Sequence, residues 1–264
     1  MLAYEAAGRG VPFVLLHAFP LSRAMWRAEL EAFGKSARVI APDLPGFGQS
    51  ARQAEPSIPQ MAEAVAELLE HLAIREPAVV AGLSMGGYVA FEFLRQFPQR
   101  VRALGLVSTR ATEDTPEQRE QRFKTAERVR REGLESLVSS MLPRLLGKTS
   151  LASNQALATA LSQQILASDP HGVADALLAM AQRRNSAALL ASIACPTLIV
   201  AGQEDAFIAP EQAEQMQRQI PRAQLTVIPK AGHLVNLEQP AAFHQALERF
   251  FRDAVLRAVS ERVR

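Results

Sequence analysis

The sequence is poor in cysteine, tyrosine and tryptophan, and it has no long hydrophobic run. Its single cysteine, Cys195, cannot form an internal disulfide. No stretch approaches the roughly eighteen uninterrupted apolar residues that a membrane-spanning helix needs. The N-terminal letters MLAYEAAGRG contain no basic start followed by an apolar core, so we expect no secretory signal. These absences predict a cytoplasmic protein without a membrane partner.

A strong excess of charge of either sign is also missing. The 264 residues carry 29 basic and 27 acidic side chains, the formal net charge is +2, and the two signs are interspersed. This balance gives no indication of a nucleic-acid partner, and we expect none. No cluster of His, Cys and Glu has the spacing of metal ligands, and no phosphate-binding loop of the P-loop kind is present, so we expect neither a metal nor a cofactor.

What the sequence does contain is an alternation of short apolar runs and amphipathic helical patterns. The runs are brief, rich in Val, Leu and Ile, and bounded by Pro or Gly, as is typical of buried strands. Such strands separated by helices indicate an α/β fold with a mostly parallel sheet covered on both faces. The predicted strands lie at residues 12–17, 37–43, 77–84, 102–108, 195–202 and 223–229, and the predicted helices at 57–74, at 86–98, from Pro210 and from Pro240.

The alternation stops between residues 109 and 192. This stretch is helix-like and rich in charge, and it offers no convincing strand. We therefore predict that residues 1–108 and 193–264 form one core domain and that residues 109–192 are a helical insertion. The charged side chains of the insertion, such as Arg128 and Arg131, are expected to form a solvated face.

One serine stands where a buried strand turns directly into a helix. In the letters VVAGLSMGGYVA, Ser84 lies between Gly82 and Gly86 at the carboxyl end of a predicted strand, where ligands bind in parallel sheets. A one-residue turn forces a cramped backbone, and larger side chains two positions away would collide. This spacing is the nucleophile-elbow pattern, and the following helix directs its positive end at the site. Ser84 is therefore the predicted nucleophile.

A serine hydroxyl needs a base before it becomes a good nucleophile at neutral pH. Of the five histidines, His233 stands on a glycine-containing loop after the last predicted strand, within reach of the serine. We predict that His233 is the base. The other four are expected to have other roles: surface, packing or helix-start positions for His71, His244 and His171, and a positioning role in the loop after the first predicted strand for His17.

The acid that orients this base is predicted from a third strand end. In the letters LIVAGQEDAFIAP, Asp205 follows Gly202, and Glu204 is its only local rival. Asp205 precedes His233 by 28 residues, which leaves room for the helix and the strand that the sequence offers there. The chain order Ser, Asp, His then follows.

Acyl transfer also needs hydrogen-bond donors for the oxyanion that develops on the substrate. The predicted donors are the backbone amides of Met85, which follows the serine, and of Phe19, in the loop HAFP. We expect an apolar substrate pocket of modest size. Its candidate lining residues are Trp26, Met141 and Phe207.

Five motifs in order resemble the α/β-hydrolase superfamily over nearly the whole chain: HAFP (17–20), APDLPGFGQS (41–50), GLSMGG (82–87), GQED (202–205) and AGH (231–233). The resemblance implies a central, mostly parallel sheet, a helical cap after the strand ALGLVS, and a triad of Ser84, His233 and Asp205. The usual His-Gly pair of that family reads His17-Ala18 here, and alanine gives the Phe19 amide less backbone freedom.

These patterns predict a serine hydrolase that cleaves small carboxylic esters or lactones with water, through an acyl-enzyme. The motif GLSMGG with a helical cap resembles carboxylesterases and enol-lactonases most. Carbon–carbon bond hydrolases of aromatic catabolism, acyltransferases and perhydrolases share the triad and stay open as alternatives, as does a non-catalytic ligand receptor on the same fold. Dehalogenases and epoxide hydrolases of the superfamily carry aspartate at the elbow, so Ser84 speaks against both.

Overall fold

The computed structural model describes residues 1–262, with side chains as far as residue 253. Within this range, seven strands form one central sheet: β1 (Tyr4–Ala7), β2 (Pro12–Leu16), β3 (Arg38–Pro42), β4 (Ala78–Leu83), β5 (Val101–Val107), β6 (Thr197–Gly202) and β7 (Ala223–Ile228). Their order across the sheet is β1-β3-β2-β4-β5-β6-β7. β1 is antiparallel to β3, and every other neighbouring pair is parallel. The predicted α/β fold class is confirmed.

Helices connect the strands. They are α1 (Arg27–Phe33), α2 (Ile58–His71), α3 (Met85–Gln96), α4 (Pro116–Glu132), α5 (Glu135–Leu145), α6 (Lys148–Ser153), α7 (Gln155–Leu166), α8 (Pro170–Ala181), α9 (Ala187–Leu190), α10 (Pro210–Gln219), α11 (Val235–Glu238) and α12 (Pro240–Arg262). In the described part of the chain, no helix is both long enough and apolar enough to span a membrane.

The sequence explains both the predicted strands and the one that was missed. Every residue of β2, β4 and β6 is buried, because helices cover both faces of a parallel sheet. These strands therefore read as continuous apolar runs. β1 is a short edge strand with the sequence YEAA, and it is only half-buried at its ends and exposed in its middle. It lacks the apolar run on which the prediction relied.

The strand order places one crevice at the centre of the sheet. From β2 the chain moves outward to β3, and it then returns to the other side of β2 to form β4. The loops that leave β2 and β4 therefore diverge at their carboxyl ends. Such a reversal is the usual position of a ligand site in an open parallel sheet.

Helices α4 to α9 all lie between β5 and β6 in the chain. The first of them begins with a capping box, in which the Thr115 side chain accepts a hydrogen bond from the Gln118 amide and the Gln118 side chain accepts one from the Thr115 amide. α4 packs mainly against α8, and α5 packs against α7. These helices bring a second set of side chains to the carboxyl edge of the sheet.

Candidate active site

Ser84 occupies a strained turn between β4 and α3. Its φ of 55° lies in the left-handed region, which non-glycine residues seldom adopt. Two hydrogen bonds to neighbouring backbone hold the turn: the Ser84 amide donates to the Val107 carbonyl at 2.9 Å, and the Thr109 hydroxyl donates to the Ser84 carbonyl at 2.9 Å. The Ser84 side chain does not cap the helix that follows. Its hydroxyl is therefore left available at a partly exposed position.

The helix after the serine lies directly against the end of β2. A Cβ atom on Gly86 would fall 2.2 Å from the Leu16 carbonyl oxygen, so only glycine permits this approach. The approach sets the first amides of α3 beside the loop that follows β2. Among the described residues, neither the Met85 amide nor the Phe19 amide donates a hydrogen bond to another backbone group. In the described part of the chain, both predicted oxyanion donors thus lack a backbone acceptor.

His17 connects the loop after β2 to the loop after β3. Its Nε2 accepts a hydrogen bond from the Leu44 amide at 2.9 Å, and its Nδ1 lies 3.0 Å from the Ala18 carbonyl oxygen. Burial lowers the pKa of His17 to about 4, against the weaker raising effects of the Ala18 carbonyl and of Asp43. The ring is therefore neutral at pH 7. The positioning role of His17 stays a prediction.

His233 and Asp205 form a buried hydrogen-bonded pair. His233 Nδ1 lies 2.8 Å from Asp205 Oδ2, and the Asp205 side chain is fully buried. The other carboxylate oxygen, Oδ1, accepts hydrogen bonds from the amides of Phe207 at 2.8 Å and Ile208 at 3.0 Å. A carboxylate offers only acceptors, so this contact places a proton on His233 Nδ1. The lone pair of the neutral ring then lies on Nε2.

Glu204, the rival acid, faces a different element. Its carboxylate accepts hydrogen bonds from the Thr149 amide at 2.8 Å and from the Thr149 hydroxyl at 2.7 Å. These bonds join the loop after β6 to helix α6. Of the two neighbouring acids, Asp205 alone is hydrogen-bonded to His233 among the described residues.

Glu238 holds the loop that carries His233, and sequence reasoning missed this residue. Its buried carboxylate accepts hydrogen bonds from the amides of Gly232 at 2.9 Å, Leu234 at 3.2 Å and Gly147 at 2.8 Å. The first two amides flank His233, and the third belongs to the residue that precedes helix α6. A carboxylate five residues after a loop histidine was the available signal.

Ser84 and His233 line the same cavity, which has a volume of about 460 Å³. This volume lies in the usual range of small-molecule sites. No hydrogen bond joins the Ser84 hydroxyl to the His233 ring in the described structure. Core residues form one wall, and side chains from α4, α5 and α8 form the other. The lining residues used below are Phe19, Ser84, Arg110, Asp114, Glu117, Arg122, Leu137, Met141, Arg144, Met180, Phe207 and His233.

Comparison with known proteins identifies the fold family. A family model described as the alpha/beta hydrolase fold matches residues 11–240. The chain belongs to this family. Among curated members, it is 31% identical to 3-oxoadipate enol-lactonase 1 of Acinetobacter baylyi over 231 residues, which cover 86% of this chain and 84% of the relative. It is 30% identical to the pimeloyl-(acyl-carrier protein) methyl ester esterase of Nitrosomonas europaea over 248 residues, which cover 90% of this chain and 95% of the relative.

Two solved structures, of an esterase and of an enol-lactonase, resemble nearly the whole chain. A thermophilic esterase from Thermogutta terrifontis, determined with malate bound, is 44% identical to this chain and superimposes with a TM-score of 0.94. The match covers 96% of this chain and 93% of the esterase. The enol-lactonase of Burkholderia xenovorans LB400 is 25% identical, with a TM-score of 0.88, and the match covers 95% of this chain and 96% of that protein.

Within this α/β-hydrolase chain, two of the three candidate pocket residues lie at the cavity and one does not. Met141 and Phe207 line it, and the Phe207 ring packs 5.1 Å from the His233 ring. Trp26 is instead completely buried, with its ring centroid 6.1 Å from that of Phe243 on α12. The prediction for Trp26 is corrected, because its ring packs against Phe243 in the core and does not line the cavity.

The cavity is also more polar than the apolar pocket that we expected. Arg110, Arg122 and Arg144 line it together with Asp114, although Leu137 and Met180 supply apolar surface. Asp114 lies in the loop after β5, and its side chain is almost fully buried. Sequence reasoning missed this cluster because arginines on a charge-rich helix were expected to face solvent. The sequence RATED directly after the strand, with the arginines that follow on α4, was the available signal.

Proposed function

We propose that this protein is a serine hydrolase that cleaves small carboxylic esters by means of Ser84, His233 and Asp205. The observation that carries the proposal is the 2.8 Å contact between His233 Nδ1 and Asp205 Oδ2, beside a cavity that Ser84 also lines. Nucleophile, base and acid follow strands β4, β7 and β6 at the carboxyl edge of the sheet. This geometry supports acyl transfer better than simple ligand binding, because binding alone does not explain a strained serine beside a buried His–Asp pair.

In the first step, Ser84 Oγ attacks the ester carbonyl carbon while His233 Nε2 accepts the hydroxyl proton. The carboxylate of Asp205 holds the ring in this orientation and stabilises the imidazolium that forms. The step requires Ser84 Oγ to come within hydrogen-bond reach of Nε2. Catalytic contacts of this kind are often longer before the substrate binds than in the reacting complex.

The negative charge on the carbonyl oxygen would be held by the amides of Met85 and Phe19. Both amides lack a backbone acceptor among the described residues, and the Met85 amide belongs to the first turn of α3, whose positive end favours an anion. The neutral, buried His17 fixes the loop that carries Phe19. His17 is therefore a positioning residue in this proposal and takes no part in proton transfer.

The intermediate collapses when the C–O bond to the alcohol breaks and His233 gives its proton to the leaving oxygen. Water then attacks the acyl-enzyme carbonyl, and His233 Nε2 accepts a proton from that water. The bond between the acyl carbon and Ser84 Oγ breaks, His233 gives this proton to Ser84 Oγ, and the acid leaves. Every group in this cycle returns to its starting protonation state, so no cofactor is required.

We further propose that residues 109–192 form a cap on a core of residues 1–108 and 193–264. Both parts contribute to the cavity, since Ser84 and His233 come from the proposed core and Leu137 and Met180 from the proposed cap. Lactone hydrolysis by the same residues is the second candidate function. The similarity to enol-lactonases from two bacteria favours it.

A kinetic experiment tests the proposal. The purified protein is mixed with 4-nitrophenyl esters of increasing acyl length and, in parallel, with lactones. We expect turnover of short esters, a burst of nitrophenol equal to the enzyme concentration, and a loss of at least about 10³-fold in kcat for Ser84→Ala and His233→Ala. The surface variant His71→Ala is the matched control and should retain full activity. Absence of both burst and turnover would favour a ligand receptor on this fold.

A further inference from the structure

Three arginines converge on one carboxylate at the wall of the Ser84 cavity. Asp114 Oδ1 accepts a hydrogen bond from Arg110 Nη2 at 2.5 Å. Asp114 Oδ2 lies 2.5 Å from Arg122 Nε and 2.8 Å from Arg183 Nη1. Only 1% of the Asp114 side chain is exposed. One negative charge therefore faces three positive charges at the edge of a cavity that holds a serine and a histidine.

One of the three arginines, Arg183, is held by several protein groups. Arg183 donates hydrogen bonds to the carbonyls of Met180 at 2.8 Å and Thr112 at 2.9 Å, and its guanidinium lies 4.3 Å from the centre of the Tyr88 ring. Its side chain is 3% exposed, and it does not belong to the cavity lining. Arg183 is sufficient to neutralise Asp114 and to fasten this loop to α8. The charges of Arg110 and Arg122 are not needed to neutralise Asp114.

Those two arginines line the cavity, and among the described residues each keeps a donor without a strong acceptor, although Arg110 Nη2 also donates to Gln118 Oε1 at 2.9 Å. Arg110 Nε is buried and has no acceptor among the described residues, although a buried donor without a partner costs free energy. Beyond its contact with Asp114, Arg122 contacts only the sulfur of Met180, 3.6 Å from Nη1, and sulfur is a weak acceptor. The planar fork of a guanidinium fits the two oxygens of a carboxylate.

The remaining charges around the cavity do not cancel this excess. Glu117, the second carboxylate in the lining, is exposed to solvent, where water screens it. Arg144, the third lining arginine, adds a positive charge and lies 4.1 Å from the centre of the Phe207 ring. The lining thus holds three arginines against two carboxylates, with Arg183 behind them.

We propose that the cavity selects esters or lactones that themselves carry a carboxylate, and that Arg110 and Arg122 bind this group while Ser84 faces the ester carbonyl. Monoesters of small dicarboxylic acids are the simplest such substrates. The inference rests on the proposed function, because it names the substrate class of the same site. The triad alone does not explain why the enzyme would discriminate between a charged and a neutral ester. A carboxylate site formed by Arg110 and Arg122 does.

The test compares matched substrates that differ in one charge. Monoethyl adipate and diethyl adipate share the scissile ester, and only the first carries a carboxylate in its acyl part. The pair 3-acetoxypropanoate and 3-acetoxypropanamide places the charge in the alcohol part. Hydrolysis is followed by pH-stat titration at low and at high salt. We expect the wild type to prefer the charged member of at least one pair by about 10-fold or more in kcat/KM, and the preference to fall as salt rises.

Variants of Arg122 test whether this side chain causes the preference for the charged substrate. Arg122→Gln should reduce the ratio of charged to neutral kcat/KM by about 10-fold, mainly through KM, and Arg122→Lys should give an intermediate ratio because it keeps the charge but loses the fork. Arg128→Gln is the matched control. It removes one positive charge from an exposed position on the same helix, outside the cavity lining, and should leave the ratio unchanged.

A binding measurement separates this inference from the proposed function. Titration calorimetry with monoethyl adipate uses Ser84→Ala, with and without Arg122→Gln. Binding that weakens about 10-fold in the double variant supports the carboxylate site even if the wild type cleaves no ester, an outcome that overturns the proposed function alone. Equal or better cleavage of the neutral member of both pairs, or an equal loss of the ratio in Arg128→Gln, overturns the carboxylate site and leaves the hydrolase proposal standing.

Discussion

Gly82 and Gly86 lie against each other across the Ser84 turn. A Cβ atom on Gly82 would fall 2.1 Å from the Gly86 carbonyl oxygen, a distance that real Cβ atoms do not reach. The end of β4 and the first turn of α3 can therefore meet only if the residue at position 82 has no side chain. This contact fixes where the Ser84 hydroxyl emerges from the sheet.

Replacing Gly82 by alanine should displace this turn. We expect Gly82→Ala to lower the free energy of unfolding by about 1–3 kcal/mol, because the added methyl group meets backbone atoms that cannot move aside. The kcat for the nitrophenyl esters should also fall, because Ser84 moves with the turn. Expressed as a free energy, this loss should exceed the loss in the free energy of unfolding. Urea unfolding and kcat measured on the same preparation check this. Wild-type kcat in Gly82→Ala would contradict the claim that the Ser84 turn requires glycine at position 82.

The buried His17 should make the protein sensitive to mild acid. Its pKa is lowered to about 4 by burial, so between pH 6.5 and pH 4 the unfolded chain binds a proton that the folded chain does not. Folding stability contributed by this group is therefore lost as pH falls through that window, by about 3 kcal/mol at pH 4. Urea unfolding at pH 7, 5 and 4 should show a smaller decline for His17→Gln than for the wild type, and an unaltered decline for the surface variant His71→Gln.

Removal of the Asp114 charge should strongly destabilise the fold. Burial alone would raise the pKa of Asp114, but hydrogen bonds and charges of Arg183 and Arg122 outweigh it and lower this pKa to about 2. We expect Asp114→Asn to cost about 3–5 kcal/mol at pH 7, because the arginines lose their counter-charge. Because the pKa is lowered, this difference between wild type and variant should shrink as pH falls from 4 toward 2. Glu132→Gln, at the exposed pair with Arg131, should change stability by less than about 1 kcal/mol.

Glu238 should matter for turnover although it lies outside the cavity lining. Glu238→Gln replaces one carboxylate oxygen by an NH₂ group, which cannot accept a hydrogen bond. The variant therefore loses either the bond from Gly147 or the bonds from Gly232 and Leu234. We expect a loss of about 1–3 kcal/mol in stability and about 10-fold or more in kcat, because the His233 loop is less firmly held. The exposed α12 variant Glu248→Gln is the control. Unchanged kcat in Glu238→Gln would show that the loop does not depend on this carboxylate.

The elements that the sequence predicted are those with a strong local signal. The buried parallel strands can be predicted because they are continuous apolar runs. The Ser84 turn can be predicted because it requires glycine on both sides. β1 carries no such signal, since an exposed edge strand with the sequence YEAA has no face to bury. Its place beside β3 is decided by backbone pairing, which residue types alone do not reveal.

The cavity wall was harder to predict because it depends on which way individual side chains face. Arg122 and Arg128 lie on the same helix, α4, yet Arg122 turns toward Asp114 and the cavity while Arg128 is exposed. The sequence analysis expected charged side chains of this insertion, such as Arg128, to face solvent, and it did not single out Arg122. Trp26 was predicted to line the pocket, but its ring is buried and packs against the Phe243 ring. Such choices are settled by packing between elements that are distant in the chain.

Covalent labelling tests the central claim most directly. The protein is treated with a fluorophosphonate, and the modified peptide is identified by mass spectrometry in the wild type, in His233→Ala and in the control His244→Ala. We predict one adduct per chain, on Ser84, formed at least about 100-fold more slowly in His233→Ala and at the wild-type rate in His244→Ala. An adduct on another residue, no adduct at all, or a labelling rate in His233→Ala equal to that of the wild type would contradict the claim that His233 and Asp205 activate Ser84.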